Sequence, residues 1–273
     1  MQEFNADKLL SMYGENTPVL TYHWKFPVKE PYNGYPIEVL DPVVVTTSPD
    51  KLPKQAIQNR VELLIGNCAQ ETGPFPHRPA PDANITSWRA LEDFLSPKID
   101  TFKIGLYPEV LPLYQTDDEH YPPHNITPKY VYEEMSSDVL VICTTNYVAD
   151  YLSSVANYTV SRFVVSQPPS KEIGLGIETA YHGWDSVVLF GLKFFKPGIA
   201  ELPESDRNLM MQFRGMYKDF LDSKYIDQYR NMTTDFWWGG SPPTPGMLSY
   251  HKKQCAVWKE FGFLDYSWGN LGK

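Results

Sequence analysis

The chain has 273 residues, 42% of them hydrophobic and 21% charged, which is enough for one large domain or two small ones with a sizeable core. Its formal net charge is −9 and it contains no run of Lys or Arg, so it offers little attraction to a phosphate backbone. These numbers argue against binding to nucleic acids and to anionic membrane surfaces. The 24 prolines favour long, ordered surface loops over a compact helical bundle.

Membrane and secretion signals point in different directions. The longest apolar stretch, 187–195, contains Lys193 and is far shorter than the roughly 20 residues of a transmembrane helix. The first ten residues lack the basic and apolar regions of a signal peptide. Four Asn-x-Ser/Thr sequons nevertheless predict glycosylation, at Asn84, Asn125, Asn157 and Asn231. We therefore expect a protein of the secretory pathway, in which Met1 is an internal methionine or an N-terminal part lies outside this sequence.

The first half of the chain predicts short elements between long loops. A short helix is expected at 6–13 and one helical turn at 52–56. The β-branched and apolar run at 61–66 ends in glycine, a pattern typical of a buried strand. A short helix is expected at 88–94, and the proline-rich region 105–128 is expected to be a loop.

The second half predicts longer helices. Apolar residues recur at helical spacing over 130–153. Further elements are predicted as strands at 159–165 and 234–238, and as helices from 185, over 204–221 with Ser205 as N-cap, and over 250–261. No internal repeat is visible. Strands separated by helices and long loops predict an α/β fold with mostly parallel pairing.

Three cysteines leave an odd count, and no pair shows the spacing of a zinc site. If Cys143 and Cys255 were paired, the long loop that they close would stabilise the fold by about 4–5 kcal/mol in the chain-entropy model. Cys68, at the end of an apolar strand, would then remain free and unreactive.

Two residues carry the candidate chemistry. Glu71 follows the strand 61–66, and sites in open α/β sheets form beyond the carboxyl ends of strands. Taken alone, Glu71 also fits a solvated loop residue, and His182 fits a structural histidine bonded to a backbone carbonyl. Together they fit the last two places of the order Ser, Asp/Glu, His that α/β-hydrolases use. The nucleophile motif G-x-S-x-G and the oxyanion-hole motif His-Gly-Gly-Gly are both absent from the chain, so this order places them before residue 1.

Five segments carry a family resemblance in the expected order. They are Val39–Pro49, Leu63–Phe75, Ser137–Thr145, His182–Gly191 and Gln254–Trp258. These segments resemble type-B carboxylesterases, the cholinesterase-like branch of the α/β-hydrolases. The resemblance implies that residues 1–273 are the C-terminal half of such a domain. It also implies that Glu71 is the triad acid, that His182 is the triad base, and that Cys143 and Cys255 form the family's C-terminal disulfide.

The chain departs from the family pattern at three places. Thr72 replaces the glycine that usually follows the acid, and Ser186-Val187 replaces an apolar-proline pair. The segment after 204–221 lacks the common Thr-Gly-Asp-Pro-Asn stretch. Each departure could shift a catalytic group by the few tenths of an ångström that matter in a site.

The resemblance leaves three interpretations open. The first is a carboxylic-ester hydrolase chain that supplies Glu71 and His182 without metal or organic cofactor, and that is inactive without a partner polypeptide carrying G-x-S-x-G. The second is a non-catalytic cholinesterase-like binding or structural subunit of a larger assembly. The third is an incomplete sequence. Trp237-Trp238 fits packing against the core better than an aromatic wall for choline.

Overall fold

The structure is a computed structural model that describes residues 62–72, 85–116, 126–154, 160–173, 177–191, 202–222, 234–238 and 250–262. For 153–154 and 234–238 only the backbone is described. The predicted helix at 6–13, the predicted turn at 52–56 and all four sequon asparagines (Asn84, Asn125, Asn157 and Asn231) lie outside these ranges.

Three strands form one parallel sheet in the order β1-β2-β3: β1 is Leu63–Cys68, β2 is Val160–Val165 and β3 is Thr234–Trp238. Parallel pairing is therefore confirmed for these strands, although β1 lies two residues later than predicted. All six residues of β2 are buried, as expected for a strand with neighbours on both sides. Gly66 lies opposite Phe163, and an added Cβ would meet that ring at 2.4 Å, so this position requires glycine.

Two helices lie between β1 and the long helical segment. Helix α1, Trp88–Ile99, begins where the Ser87 hydroxyl accepts from the Ala90 amide at 3.1 Å, and it runs beyond its predicted end. Helix α2, Tyr107–Val110, continues into the 3₁₀ turn Leu111–Tyr114. The prediction of a loop over 105–128 is wrong here, because Pro108 and Pro112 lie in first turns, where a missing N–H costs nothing.

The long helix predicted over 130–153 is confirmed, with an interruption. Helix α3, Pro128–Ser137, begins after the cap Thr127 and passes through a π-helical segment, Asp138–Ile142, into helix α4, Cys143–Ser154. Apolar periodicity alone could not distinguish a π segment from a continuous α-helix, because the apolar face carries on through both.

Three further helices complete the described chain: α5 is Trp184–Phe190, α6 is Glu204–Leu221 and α7 is Lys252–Glu260. The prediction of Ser205 as N-cap is wrong, because Pro203 precedes the helix and Ser205 lies in its first turn. In the described ranges, no helix combines the length and apolarity that a membrane span requires.

The core has two main clusters. One lies between the sheet and helices α5 and α6, and centres on Phe163, Trp184 and Phe213. The other joins α1, α2, α3 and α7 around Leu95, Met135 and Trp258. The candidate site lies at the carboxyl end of β1.

Candidate active site

The two predicted site residues come together at the carboxyl end of the sheet. Glu71 lies three residues beyond β1, and His182 lies just before α5. Between these loops, Gln70 and Tyr181 form an isolated parallel bridge. The bridge pairs the segment that follows β1 with the segment that leads into His182, so the two loops run side by side and place Glu71 next to His182.

Glu71 is a buried carboxylate with both oxygens engaged. Its residue is only 5% exposed. Oε1 accepts from the backbone N–H of Cys68 at 2.7 Å, and Oε2 lies 2.5 Å from His182 Nδ1. The alternative of a solvated loop glutamate is therefore wrong. A carboxylate held at both oxygens is fixed in one orientation towards the imidazole.

His182 combines this buried partner with access to solvent. Its side chain is 45% exposed. The hydrogen bond to Glu71 raises the pKa of His182, and partial burial opposes the rise. Because a carboxylate oxygen accepts, the proton of neutral His182 belongs on Nδ1, which leaves Nε2 as the basic nitrogen. That tautomer is the one a general base requires.

The loop carrying His182 is fixed on its C-terminal side by α5. Gly183 has φ of +83°, a left-handed conformation that turns the chain directly from His182 into the helix. The Trp184 amide donates to the Tyr181 carbonyl at 3.0 Å, and its indole N–H donates to the Gln167 carbonyl at 2.9 Å. Trp184 is fully buried, so these bonds anchor the loop to the core.

Thr72, which departs from the family pattern, is accommodated by helix α3. Its amide donates to the Ser137 hydroxyl at 3.0 Å, and its own hydroxyl donates to the Glu133 carbonyl at 2.9 Å. The side chain that replaces glycine thus ties the Glu71 loop to α3. The departure fits the site without displacing Glu71 from His182.

Cys68 is free, as predicted, and it is buried. Its sulfur accepts from the Asp185 amide at 3.3 Å. Burial, reinforced by the nearby carboxyls of Asp185 and Glu71, holds the pKa of this thiol well above its usual value. Burial also raises the pKa of Asp185. The thiol next to the pair therefore stays protonated and is not a nucleophile.

A buried polar cluster that sequence reasoning missed lies behind the Glu71 loop. We call it the His251 cluster; it contains Glu134, Asp138, His251 and Tyr114. His251 Nδ1 lies 2.7 Å from Asp138 Oδ1, and Nε2 lies 3.3 Å from Glu134 Oε2. Tyr114 donates to Asp138 Oδ2 at 2.5 Å. Both nitrogens of His251 face carboxylates, an arrangement that suits the imidazolium form.

The disulfide implied by the family resemblance is present. The sulfurs of Cys143 and Cys255 lie 2.06 Å apart and join the start of α4 to α7. In the described ranges, these sulfurs and Asp138 are also the one group of potential metal ligands that lie close together. Because each sulfur is bonded to the other, neither is available as a thiolate ligand, and the group does not fit a metal.

Comparison with solved structures finds two proteins of similar fold. EstA from Aspergillus niger superposes with a TM-score of 0.51 and 14% identity, over 78% of this chain and 43% of its own. Juvenile hormone esterase from Manduca sexta has a TM-score of 0.49 and 15% identity, over 86% of this chain and 46% of its own. No protein-family model and no curated protein sequence matches the chain.

The similarity is one of fold. The described elements form a small parallel sheet with many helices, similar to α/β-hydrolase esterases over part of their length. The chain spans less than half the length of both structures.

Proposed function

We propose that this chain supplies the acid and the base of a Ser-Glu-His triad in a carboxylic ester hydrolase. The observation that carries the proposal is the 2.5 Å contact between Glu71 Oε2 and His182 Nδ1, formed by a buried carboxylate and a solvent-accessible imidazole. In a catalytic triad a buried acid orients the histidine, and the histidine transfers the proton. Glu71 and His182 are arranged for these two roles. The esterase-like fold supports the assignment.

The serine is proposed to come from a polypeptide segment that carries a G-x-S-x-G elbow and lies outside this sequence. The 273 residues contain no such motif. In the proposed reaction, the Ser Oγ attacks the ester carbonyl carbon while His182 Nε2 takes its proton. His182 then gives that proton to the departing alkoxide, and water repeats the sequence to release the acid.

Glu71 is proposed to act on His182 and not on the ester. Its Oε2 holds the proton on Nδ1 and stabilises the imidazolium that forms when Nε2 accepts the serine proton. The raised pKa of His182 reflects the same interaction in the resting protein. The Cys68 amide, which donates to Oε1, keeps the carboxylate aligned. No metal or organic cofactor is required for these steps.

Labelling with a fluorophosphonate probe tests the proposal. The probe is added to the native protein, isolated through a tag after Lys273, because fluorophosphonates modify only an activated serine. We expect a label on a co-isolated segment containing G-x-S-x-G, and loss of that label in His182→Ala. A native assembly without a labelled segment would favour the alternative function, a non-catalytic cholinesterase-like binding subunit.

A further inference from the structure

We infer that Gln70 is a positioning residue that fastens the His182 loop to the Glu71 loop. The inference rests on the proposed function of the Glu71–His182 pair. Gln70 is adjacent to Glu71 in the chain and is only 2% exposed. It makes no direct contact with the imidazole among the bonds described; it acts on the backbone that carries His182.

Gln70 engages both polar backbone groups of one residue in the His182 loop. Its backbone N–H donates to the Ala180 carbonyl at 3.1 Å. Its side-chain Oε1 accepts from the Ala180 N–H at 3.0 Å. Ala180 lies two residues before His182, so these bonds fix the N-terminal side of the loop, as Trp184 fixes the C-terminal side. Without the side-chain bond, the buried Ala180 N–H would lose its acceptor.

The other end of the side chain is held by helix α3. Gln70 Nε2 donates to Glu134 Oε1 at 2.7 Å, and Glu134 Oε2 lies 3.3 Å from His251 Nε2. The amide orientation is unambiguous, because Ala180 offers a donor and Glu134 an acceptor. Gln70 therefore links three elements: the Glu71 loop, the His182 loop and the His251 cluster. An amide is required, since one end must accept and the other must donate.

This connection has a consequence for the pair. A shift of a few tenths of an ångström in the His182 backbone would lengthen the Nδ1···Oε2 contact. Because this contact is short, its energy depends steeply on the distance between the two atoms. Loss of the Gln70 side-chain bonds should loosen that contact while Glu71 and His182 themselves stay unchanged.

The experiment uses NMR of the full chain and needs no catalysis. It follows the Nδ1–H proton of His182, which a short bond to a carboxylate shifts far downfield, and the titration of the imidazole ring. Glu71→Gln identifies both signals. In Gln70→Met, which keeps the volume and removes both amide functions, we expect the downfield signal to disappear and the pKa of His182 to fall. If Gln70→Met does not fold, Gln70→Asn, which is too short for both bonds, replaces it.

A rescue variant separates positioning from packing. In the double variant Gln70→Glu with Glu134→Gln, the carboxylate at position 70 accepts from the Ala180 N–H. The amide at position 134 then donates to that carboxylate, so the hydrogen bond between the two side chains is kept with its direction reversed. The amide introduced at position 134 can still accept from His251 through its oxygen. We expect this exchange to restore the downfield signal that Gln70→Met removes. Asn146→Leu is the matched control, because it removes another buried amide, which donates to the Tyr250 carbonyl at 2.6 Å, and it should leave the signal intact.

Three results would overturn the inference. They are a folded Gln70→Met that keeps the signal and the pKa of His182, an equal loss in Asn146→Leu, and a double variant that fails to restore the signal. None of them depends on a serine partner, so they are distinct from the absence of fluorophosphonate labelling, which bears on the proposed hydrolase function.

Discussion

His182 Nδ1 lies 2.5 Å from Glu71 Oε2, although 111 residues separate the two in the chain. The contact depends on a parallel bridge between Gln70 and Tyr181 and on a left-handed glycine at position 183. It joins a carboxylate that is buried to an imidazole that solvent can reach. Each of these features is measurable in the chain itself.

Replacing Glu71 by Gln should lower the pKa of His182. The hydrogen bond to this carboxylate is the main cause of the raised value, and burial, which lowers it, would remain. The histidine should then lose its proton at a lower pH than in the wild type. Ring-proton chemical shifts of His182 against pH measure this directly. An exposed carboxylate, Glu172, provides the control, and a pKa unchanged in Glu71→Gln would contradict the assignment of the pair.

The disulfide should contribute strongly to stability. Cys143 and Cys255 are 112 residues apart, and closing a loop of that size is worth about 4–5 kcal/mol in the chain-entropy model. The double variant Cys143→Ala with Cys255→Ala should unfold at a correspondingly lower urea concentration than the oxidised wild type. Alkylation of the wild type should modify one thiol, Cys68, and only after unfolding. An unchanged urea midpoint, or three reactive thiols in the purified protein, would contradict this.

The His251 cluster should be costly to break. Asp138 is fully buried and holds both His251 and the Tyr114 hydroxyl. Asp138→Leu leaves a buried histidine and a buried hydroxyl without their acceptor, a loss of about 3–5 kcal/mol. Asp93, whose side chain is 59% exposed and 3.0 Å from the exposed Arg89, is the matched control. Asp93→Leu should cost about 1 kcal/mol or less in the same urea titration. Equal costs at the two sites would contradict a structural role for the cluster.

Stability should fall as pH rises towards neutrality. Burial raises the pKa of Glu134 from 4.5 to about 7, and that of Glu133 to about 7 as well. In the unfolded chain these carboxyls ionise near 4.5, so between that pH and 7 the folded state binds more protons. The resulting stabilisation is complete below about 4.5 and is lost as pH rises through 7, by about 3 kcal/mol for a group shifted this far.

Urea unfolding at several pH values measures this dependence. The groups that face Glu134 are His251, Asp138, Tyr130 and Gln70. Glu134→Gln should flatten the decline between about pH 5 and 7.5, because the amide does not titrate. Glu172→Gln, at an exposed position, should leave the slope as it is. A slope unchanged by Glu134→Gln would contradict the raised pKa.

Sequence patterns predicted the elements better than their contacts. The buried strands, the long helical segment and the strand at 234–238 were readable because apolar periodicity and β-branched runs reflect burial directly. The helix at Tyr107–Val110 was missed, since its prolines resemble those of a loop. The π-helical segment that begins at Asp138 does not alter the spacing of the apolar residues, so the sequence gives no sign of it.

The sequence predicted the two principal residues of the candidate site but not the residues that hold them in place. Glu71 and His182 could be recognised because each lies in a segment that resembles a family motif and because their order along the chain fits a triad. Gln70 and His251 were assigned to no motif role and to no place in the triad order. A single buried amide or histidine has no local sequence pattern that distinguishes it from a surface residue. Their roles depend on contacts across 64 to 113 residues of chain, which only the fold defines.

The most direct test of the central claim measures ester hydrolysis against pH. The native protein, isolated with whatever segment supplies the serine, is assayed on a p-nitrophenyl ester beside His182→Ala and Glu71→Gln. We expect the acid limb of kcat/KM to follow the His182 titration seen by NMR, and we expect kcat to fall by about 10⁴-fold in His182→Ala. Hydrolysis that persists at wild-type rate in His182→Ala would contradict the account.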